Sequence, residues 1–138
     1  MALFYKSIKR GNPARPEVPK KWYLLLKSIG TARTREIARL MTGNTTMNPK
    51  EAEMAVSLLV KTMITLLKDG HTVQLDDLGT FFLTATSDPS DTKEEVTAHK
   101  ARNLRIRFRP DAALREEIKK AQLRPVESLL SASHDSGD

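Results

Sequence analysis

The sequence contains no cysteine, few aromatic residues and no long apolar run. Without cysteine the chain can form no disulfide, no thiolate zinc site and no cysteine nucleophile. No apolar run approaches the roughly 18–20 residues that a transmembrane helix needs. The first six residues lack the basic n-region and the apolar h-region of a secretory signal peptide. These absences predict a soluble, cytoplasmic protein with no membrane partner.

The sequence also lacks the residue patterns that are typical of enzymes and metal sites. Its histidines are His71, His99 and His134, and none has an acidic residue or cysteine at metal-ligand spacing. The six glycines are scattered singly at turns, so there is no phosphate-binding loop. Asp76 and Asp77 are adjacent at a strand end, where aspartate usually serves a turn. We therefore expect no catalytic residue, no metal, no cofactor and no small-molecule substrate.

Positive charge is present and unevenly distributed along the 138 residues, whose net charge is +6. Residues 1–33 carry a net +7 and residues 97–109 a net +5, whereas residues 88–96 carry a net −3. A basic balance favours polyanionic partners but does not determine the fold. The position of the charge is therefore more informative than its sum.

The N-terminal part, residues 1–30, predicts a β extension. Residues 3–10 are typical of a short strand that ends at the strong breaker in residues 11–13. A second apolar segment covers residues 22–29, which we interpret as a strand. The three consecutive leucines at 24–26 would suit a helix equally well, because periodicity does not settle so short a run.

Two helices are predicted next. Thr34 is the expected N-cap of a helix over residues 35–42. Asn48 at the N-cap, Pro49 at N1 and Glu51 at N3 form the pattern of a capping box. The second helix should end at residue 68 or 69, with Gly70 as its C′ residue.

The second helix is apolar over so wide an arc that it must be covered on several sides. A domain of this size can barely do so alone, which predicts a partner subunit. The alternative is a single central core helix in a monomer. The residues expected in the dimer core are Val56, Leu59, Met63, Leu66, Phe81 and Phe108.

A hairpin, a long strand and a last helix complete the pattern. Residues 72–76 and 80–85 alternate on either side of a glycine-containing turn, as in a β-hairpin. After a polar turn at residues 88–91, a long strand is predicted over residues 96–109. A helix capped by Asp111 follows, and residues 124–138 form a small, polar tail that we expect to be disordered.

The end of the long strand alternates between arginines and apolar residues. Arg105, Arg107 and Arg109 fall on one face, because successive strand residues point to opposite sides. Their spacing of roughly 6.5–7 Å is close to the distance of about 7 Å between successive phosphates of a DNA strand. The alternative is a solvated sheet face whose charges protect an edge against aggregation. The absence of acidic residues from 97 to 109 favours polyanion binding.

Lys100 and Arg102 are at even-numbered positions, whereas these three arginines are at odd-numbered ones, so a regular strand would point the two groups to opposite faces. A bulge or twist at Asn103 would re-aim them.

Several motifs, in order, resemble the HU/IHF family of bacterial architectural DNA-binding proteins. Residues 67–81, LKDGHTVQLDDLGTF, are similar to that family's helix end, glycine, strand and "GFGTF"-type turn. Residues 108–110 (FRP) followed by 113–115 (ALR) look like its "FKPG-KALK" return. The resemblance covers residues 31–123. It implies an α+β, intertwined dimer with two N-terminal helices, an antiparallel sheet with a protruding β-arm, and a C-terminal helix.

The N-terminal part resembles a subgroup of that family. Residues 4–6, 10–13 and 20–23 are similar to the extended HU-like proteins of Bacteroides-type bacteria, whose HU domain carries an extra N-terminal β segment.

The resemblance implies a homodimeric, nucleoid-associated protein that binds duplex DNA largely independently of sequence. In that family a proline near each arm tip wedges between base steps, and Pro89 is the corresponding candidate. The expected phosphate-binding residues are Lys100, Arg102, Arg105, Arg107, Arg109 and Arg115, together with Lys6, Lys9, Arg10, Lys20 and Lys21.

The chain departs from the family pattern at the arm. Residues 83–87 carry no basic side chain, the tip at residues 88–96 is net negative, and Leu78 replaces the usual aromatic of the turn. These departures motivate an alternative, an HU-like dimer that serves protein interaction or assembly and has lost DNA bending.

Overall fold

The computed structural model describes the backbone of residues 2–132 and the side chains of residues 2–130. Its elements fall into two compact units, Met1–Thr31 with Lys119–Asp138, and Ala32–Ile118. In the described part of the chain the strands and helices are β1 (Ala2–Arg10), β2 (Lys21–Lys27), α1 (Thr34–Met41), α2 (Pro49–Lys68), β3 (Val73–Leu75), β4 (Gly79–Ser87), β5 (Ala101–Pro110), α3 (Ala112–Lys119), β6 (Gln122–Pro125) and α4 (Glu127–Ala132).

The first unit contains a three-stranded sheet with the strand order β2-β1-β6. β1 and β2 are antiparallel, with Arg10 opposite Lys21 at the end of the ladder. The ten-residue connection between them carries three prolines, so β2 cannot begin before the last of them. Both predicted strands are present, and the run of three leucines is part of a strand.

The prediction of a disordered tail from residue 124 is wrong for residues 124–132. β6 pairs in parallel with β1, placing Leu123 beside Leu3, and α4 follows. The Val126 amide donates a hydrogen bond of 2.8 Å to the Tyr5 carbonyl. The free edge of β1 offers backbone partners to this segment, a long-range effect that local composition does not reveal. Residues 133–138 lie outside the described residues.

The expected division of the chain at residues 30 and 123 also differs from the structure. The last helix of the second unit, α3, ends at Lys119, and β6 then joins the N-terminal sheet. The N-terminal extension is therefore completed by the C-terminal part of the chain.

The helices of the second unit begin at different kinds of cap. In α2 the Glu51 amide donates to Asn48 Oδ1 at 3.0 Å, and the Asn48 amide donates to Glu51 Oε2 at 3.3 Å. This capping box confirms the prediction, as does Gly70, which has φ 88° just after the helix. Thr34 is not the N-cap of α1, because the Arg33 carbonyl already accepts the first helical bond, from Ile37, at 2.9 Å.

The second sheet has the order β3-β4-β5, and all its pairs are antiparallel. The predicted hairpin is confirmed, with Val73 opposite Phe81 and a turn closed by the Leu78 amide on the Leu75 carbonyl at 3.1 Å. Gly79 packs directly under the neighbouring strand: a Cβ atom there would lie 2.6 Å from the Phe108 ring. Glycine is required at this position by the close approach.

The long strand predicted over residues 96–109 is shorter than expected. β5 begins only at Ala101, and residues 93–95 and 98–100 form short 3-10 turns. Hydrogen bonds from Val96 to the Lys93 carbonyl (3.2 Å) and from Lys100 to the Thr97 carbonyl (3.0 Å) close these turns. Local i to i+3 bonds therefore replace the ladder near the tip.

Little of the apolar surface is covered within one chain. Among the described residues, only Ala38, Ala52 and Val73 are buried hydrophobic residues. Larger apolar side chains remain exposed to solvent: Ile106 is 70% exposed and Leu58 is 55% exposed. Exposed apolar area on this scale is typical of a protein–protein interface. No helix in the described part of the chain is long and apolar enough to cross a membrane.

Candidate nucleic-acid interface

The β4–β5 ladder confirms that the three arginines share one face. Arg105 lies opposite Thr84, Arg107 opposite Phe82, and Arg109 opposite Thr80. Directly paired residues of an antiparallel ladder point to the same side. A row of three guanidiniums therefore lines one face of β5.

A β-bulge adds Arg102 to this row. Thr84 pairs with Arg105 and Thr86 with Arg102, so one residue of β4 opposes two residues of β5. Asn103 adopts the left-handed conformation, with φ 50°, within the bulge. The extra residue reverses the parity of the strand, which places Arg102 on the face of Arg105. The predicted bulge at Asn103 is confirmed.

We call Arg102, Arg105, Arg107 and Arg109 the arginine row. All four are exposed. The Arg109 guanidinium lies 5.1 Å from the centre of the Phe82 ring, a cation–π contact that holds it on the sheet. Within residues 2–132, no side-chain hydrogen bond or ion pair engages Arg105, Arg107 or Arg109. Three positions of the row can therefore accept an anionic ligand without first losing an acidic partner.

Arg102 is engaged by the arm tip. Its Nη2 atom forms an ion pair of 2.9 Å with Asp88 Oδ2, and its Nη1 atom donates to the His99 carbonyl at 2.7 Å. Lys100 donates to Ser90 Oγ, and the Asp88 amide donates to the Lys100 carbonyl at 3.0 Å. Arg102 and Lys100 thus hold the start of the connection between β4 and β5 against the beginning of β5.

Pro89 is exposed immediately after the Asp88 contact. Only Asp88 separates it from β4, so it is near the end of the strand pair. The residues after it form the turns at 93–95 and 98–100. Its neighbour Asp88 is neutralised by Arg102, which offsets part of the local negative charge.

The opposite face of the second sheet is apolar. Leu83 lies opposite Ile106 and Phe81 opposite Phe108, whose rings are 4.8 Å apart at 38°. Leu104 is 73% exposed on this side. A sheet with one cationic and one apolar face is suited to bind a charged ligand on one side and a protein surface on the other.

The residues expected in a dimer core are only partly covered in one chain. Val56, Met63 and Phe81 are half-buried, whereas Leu59, Leu66 and Phe108 are exposed. The structure therefore leaves these side chains available for a partner.

The remaining predicted phosphate-binding residues do not form a single group. Arg115 is exposed on α3. On the N-terminal sheet, Arg10 and Lys21 face each other, whereas Lys9 points to the other side and lies 5.8 Å from the Trp22 ring. Lys6 is half-buried on β1, and Lys20 is exposed at the end of the loop.

Division of the chain into units reveals a charge asymmetry that counting along the sequence missed. The 13 basic and 13 acidic residues of residues 32–118 cancel, so the net charge of +6 belongs entirely to the other unit. That unit gains Arg124 and two lysines from the C-terminal part of the chain. The pairing of β6 with β1 was the missing signal, because it brings the segment that carries Arg124 to the N-terminal sheet.

Among residues 2–132, no group of three or more histidine, cysteine or acidic residues could hold a metal ion. Asp77 has φ 66° in the β3–β4 turn, which agrees with the turn role expected for the Asp76–Asp77 pair. His134 lies outside the described residues.

Two solved structures are similar to this chain. The chain matches, with a TM-score of 0.64 and 14% identity, the crystal structure of a candidate bacterial DNA-binding protein from Bacteroides vulgatus ATCC 8482. The match covers 91% of this chain and 48% of that one, so the chain spans about half the length of that protein. An HU–DNA cocrystal structure from Anabaena matches at a TM-score of 0.49 and 18% identity, covering 64% of this chain and 98% of that one.

Sequence comparison identifies the family. No curated protein matches the chain. A family model described as HU-HIG, an HU domain fused to a wHTH, Ig or glycine-rich motif, matches residues 1–125. Because this match includes both the N-terminal sheet and the helices and hairpin of the second unit, the chain belongs to the HU-HIG family of HU-like proteins.

Proposed function

We propose that the protein binds duplex DNA, largely independently of sequence, through the arginine row of β5. The observation that carries the proposal is the alignment of four arginines on one exposed face by the bulge at Asn103. The spacing of arginines along a strand is close to that of successive phosphates, and phosphate contacts carry no direct sequence information. HU-family membership and the likeness to the Bacteroides vulgatus protein support the same function.

The proposal includes a homodimer. Its support is the uncovered apolar surface of α2 and of the β4–β5 sheet, where Leu59, Ile106 and Phe108 remain exposed. A second copy would cover these faces and present two arginine rows to one duplex. The duplex would then follow both rows, and the β4–β5 hairpin would serve as the arm.

The role of the arm tip is part of the proposal. Pro89 is exposed, as a wedge must be, and Arg102 neutralises its neighbour Asp88. Insertion between base steps would bend the duplex, as wedge residues do in architectural proteins. A protein with this activity would act at the nucleoid, in the cytoplasm. The proposal assigns it no cofactor, metal or enzyme activity.

The test is equilibrium binding of the full chain to two duplexes of unrelated sequence, measured by fluorescence anisotropy. Wild type should bind both with similar affinity, and Arg105→Ala/Arg107→Ala/Arg109→Ala should weaken both by a similar factor. An effect on only one of the duplexes would indicate sequence readout.

Linear, nicked and pre-bent duplexes should be compared in the same experiment. Absence of binding to all three at low salt would overturn the proposal and favour the assembly module that has lost DNA bending. The closed, acidic tip is the feature that would suit such a module.

A further inference from the structure

The N-terminal sheet carries a cluster of two cations and an aromatic ring that the proposed duplex-binding function does not use. Arg10 and Lys21 form the last pair of the β1–β2 ladder. Tyr23 follows Lys21 by two residues and so points to the same face. All three side chains are exposed, and Tyr23 is 51% exposed.

The same three residues line one depression at the loop end of the hairpin. Its volume is about 410 Å³, and its lining includes Arg10, Lys21 and Tyr23 together with Asn12 of the connecting loop. Depressions of this size accommodate small ligands or one unit of a polymer. The strand register and the shape of the surface therefore identify the same cluster independently.

The loop beside this depression is held by its own hydrogen bonds and prolines. The Asn12 side chain accepts a bond of 2.9 Å from the Ala14 amide, and its carbonyl accepts one of 3.1 Å from the Arg15 amide. Three prolines fix further backbone angles in residues 11–20. A preorganised loop loses little conformational entropy when a ligand binds.

The electrostatic surroundings favour an anion. Described residues of this unit carry ten basic side chains and two acidic ones, Glu17 and Glu127, whereas the second unit has no net charge. Cations beside an exposed aromatic ring are the combination that single-stranded nucleic acid requires, because the backbone needs counter-charge and the unpaired bases stack. In duplex DNA the base faces are already stacked and Tyr23 would have no partner.

We propose that this end of the N-terminal sheet binds single-stranded nucleic acid, with Arg10 and Lys21 on a phosphate and Tyr23 stacked on the adjacent base. The site is separate from the arginine row and does not depend on duplex binding. It gives the N-terminal β extension a ligand of its own. Single-stranded DNA and RNA share the phosphodiester and the base face, so the chemistry admits both.

The test measures binding of the full chain to oligothymidylate and oligouridylate of about 12 nucleotides, a length within the site sizes of such proteins. Tyr23→Leu keeps an apolar side chain but removes the ring face, and should weaken single-strand binding about tenfold. Tyr23→Phe keeps the ring and should bind like wild type. Equal affinity of Tyr23→Leu and wild type for both oligonucleotides would overturn the proposal.

A matched pair of double variants separates the site from general charge. Arg10→Gln/Lys21→Gln removes two cations from the depression, and Lys9→Gln/Lys27→Gln removes two exposed cations from outside it. The first should lose more single-strand affinity than the second, and equal losses would overturn the proposal. Circular dichroism of each variant shows whether the sheet is retained. If a double variant unfolds, the single-strand affinities of Tyr23→Phe and Tyr23→Leu remain the deciding comparison.

Failure of this proposal is distinguishable from failure of the proposed duplex function. The substitutions at Tyr23 should leave duplex affinity unchanged. Arg105→Ala/Arg107→Ala/Arg109→Ala should weaken duplex binding and leave the effect of Tyr23→Leu on single-strand binding intact.

Discussion

Thr86 lies directly opposite Arg102 in the β4–β5 ladder, and its hydroxyl donates a hydrogen bond of 3.2 Å to the Arg102 carbonyl. The same hydroxyl accepts a weak bond of 3.4 Å from Asn103 Nδ2. Thr86 therefore contacts Arg102 beside the bulge and Asn103 within it, the bulge that aligns Arg102 with the other arginines. This alignment depends on a backbone conformation that few residues adopt readily.

The left-handed backbone of Asn103 makes its substitution a test of the bulge. Asn103→Val should lower the free energy of unfolding by about 1–2 kcal/mol, because a β-branched residue is strained at φ 50°. Asn103→Gly should be close to neutral, because glycine adopts this conformation freely. Urea titration of the two variants provides the comparison. Equal stability of Asn103→Val and Asn103→Gly would argue against the bulge.

The ion pair between Asp88 and Arg102 should limit how much of the arginine row reaches DNA. Both side chains are about half exposed, so the pair adds little to stability, about 1 kcal/mol or less. Asp88→Asn should therefore leave the fold intact and release Arg102 for a phosphate. Duplex affinity at low salt should rise about threefold.

Asp91→Asn is the matched control for this release. It removes the same charge from the same tip, but no ion pair within residues 2–132 joins Asp91 to Arg102. Its effect on duplex affinity, measured in the same titration, should be smaller. Equal gains for the two variants would show that only the net charge of the tip matters.

Gly79 should tolerate no side chain. A Cβ atom there would meet the Phe108 ring at 2.6 Å and the Arg109 carbonyl at a still shorter distance, and backbone cannot move aside cheaply. Gly79→Ala should lower the free energy of unfolding by about 3 kcal/mol. Gly43→Ala, with nothing within 4 Å, should change it by less than about 0.5 kcal/mol. Thermal melts that fail to separate the two variants would contradict the close packing of β4 on β5.

The apolar face of α2 should make the protein a dimer. Leu59→Asp places a charge among exposed apolar residues and should prevent association, leaving a monomer or an unfolded chain. Light scattering, which gives the molar mass in solution, should then report the mass of one chain. Ser57→Asp, also exposed on α2, should leave the assembly unchanged.

A second measurement covers the case in which Leu59→Asp does not fold. If folding is coupled to association, the Tm of wild type rises with protein concentration. A monomeric wild type whose Tm is independent of concentration would contradict the dimer.

Much of this structure follows from local patterns in the sequence. The capping box at Asn48 and Glu51 is a local signal, and it forms as expected. The alternation from Leu104 to Arg109 likewise sets the two faces of β5, because strand geometry fixes it. The bulge at Asn103 was predictable because the basic residues before it are at even-numbered positions and those after it are at odd-numbered positions.

The errors come from contacts between residues far apart in the sequence. Arg124 and Pro125 fall at the start of the expected polar tail, and they continue a strand from Gln122 only because β1 has an edge to pair with. The sequence likewise does not reveal the contacts that the tip residues Ser90 and Asp88 make with Lys100 and Arg102. Composition cannot report such pairings, because they depend on the register between distant strands.

The salt dependence of duplex binding tests the central claim most directly. Each phosphate that a cation neutralises contributes about 0.9 to the log–log slope of affinity against salt. Wild type should therefore lose affinity steeply as salt rises. Arg105→Ala/Arg107→Ala/Arg109→Ala should lower the slope by about one for each arginine that contacts a phosphate. Identical slopes for wild type and this variant would contradict duplex binding through the arginine row.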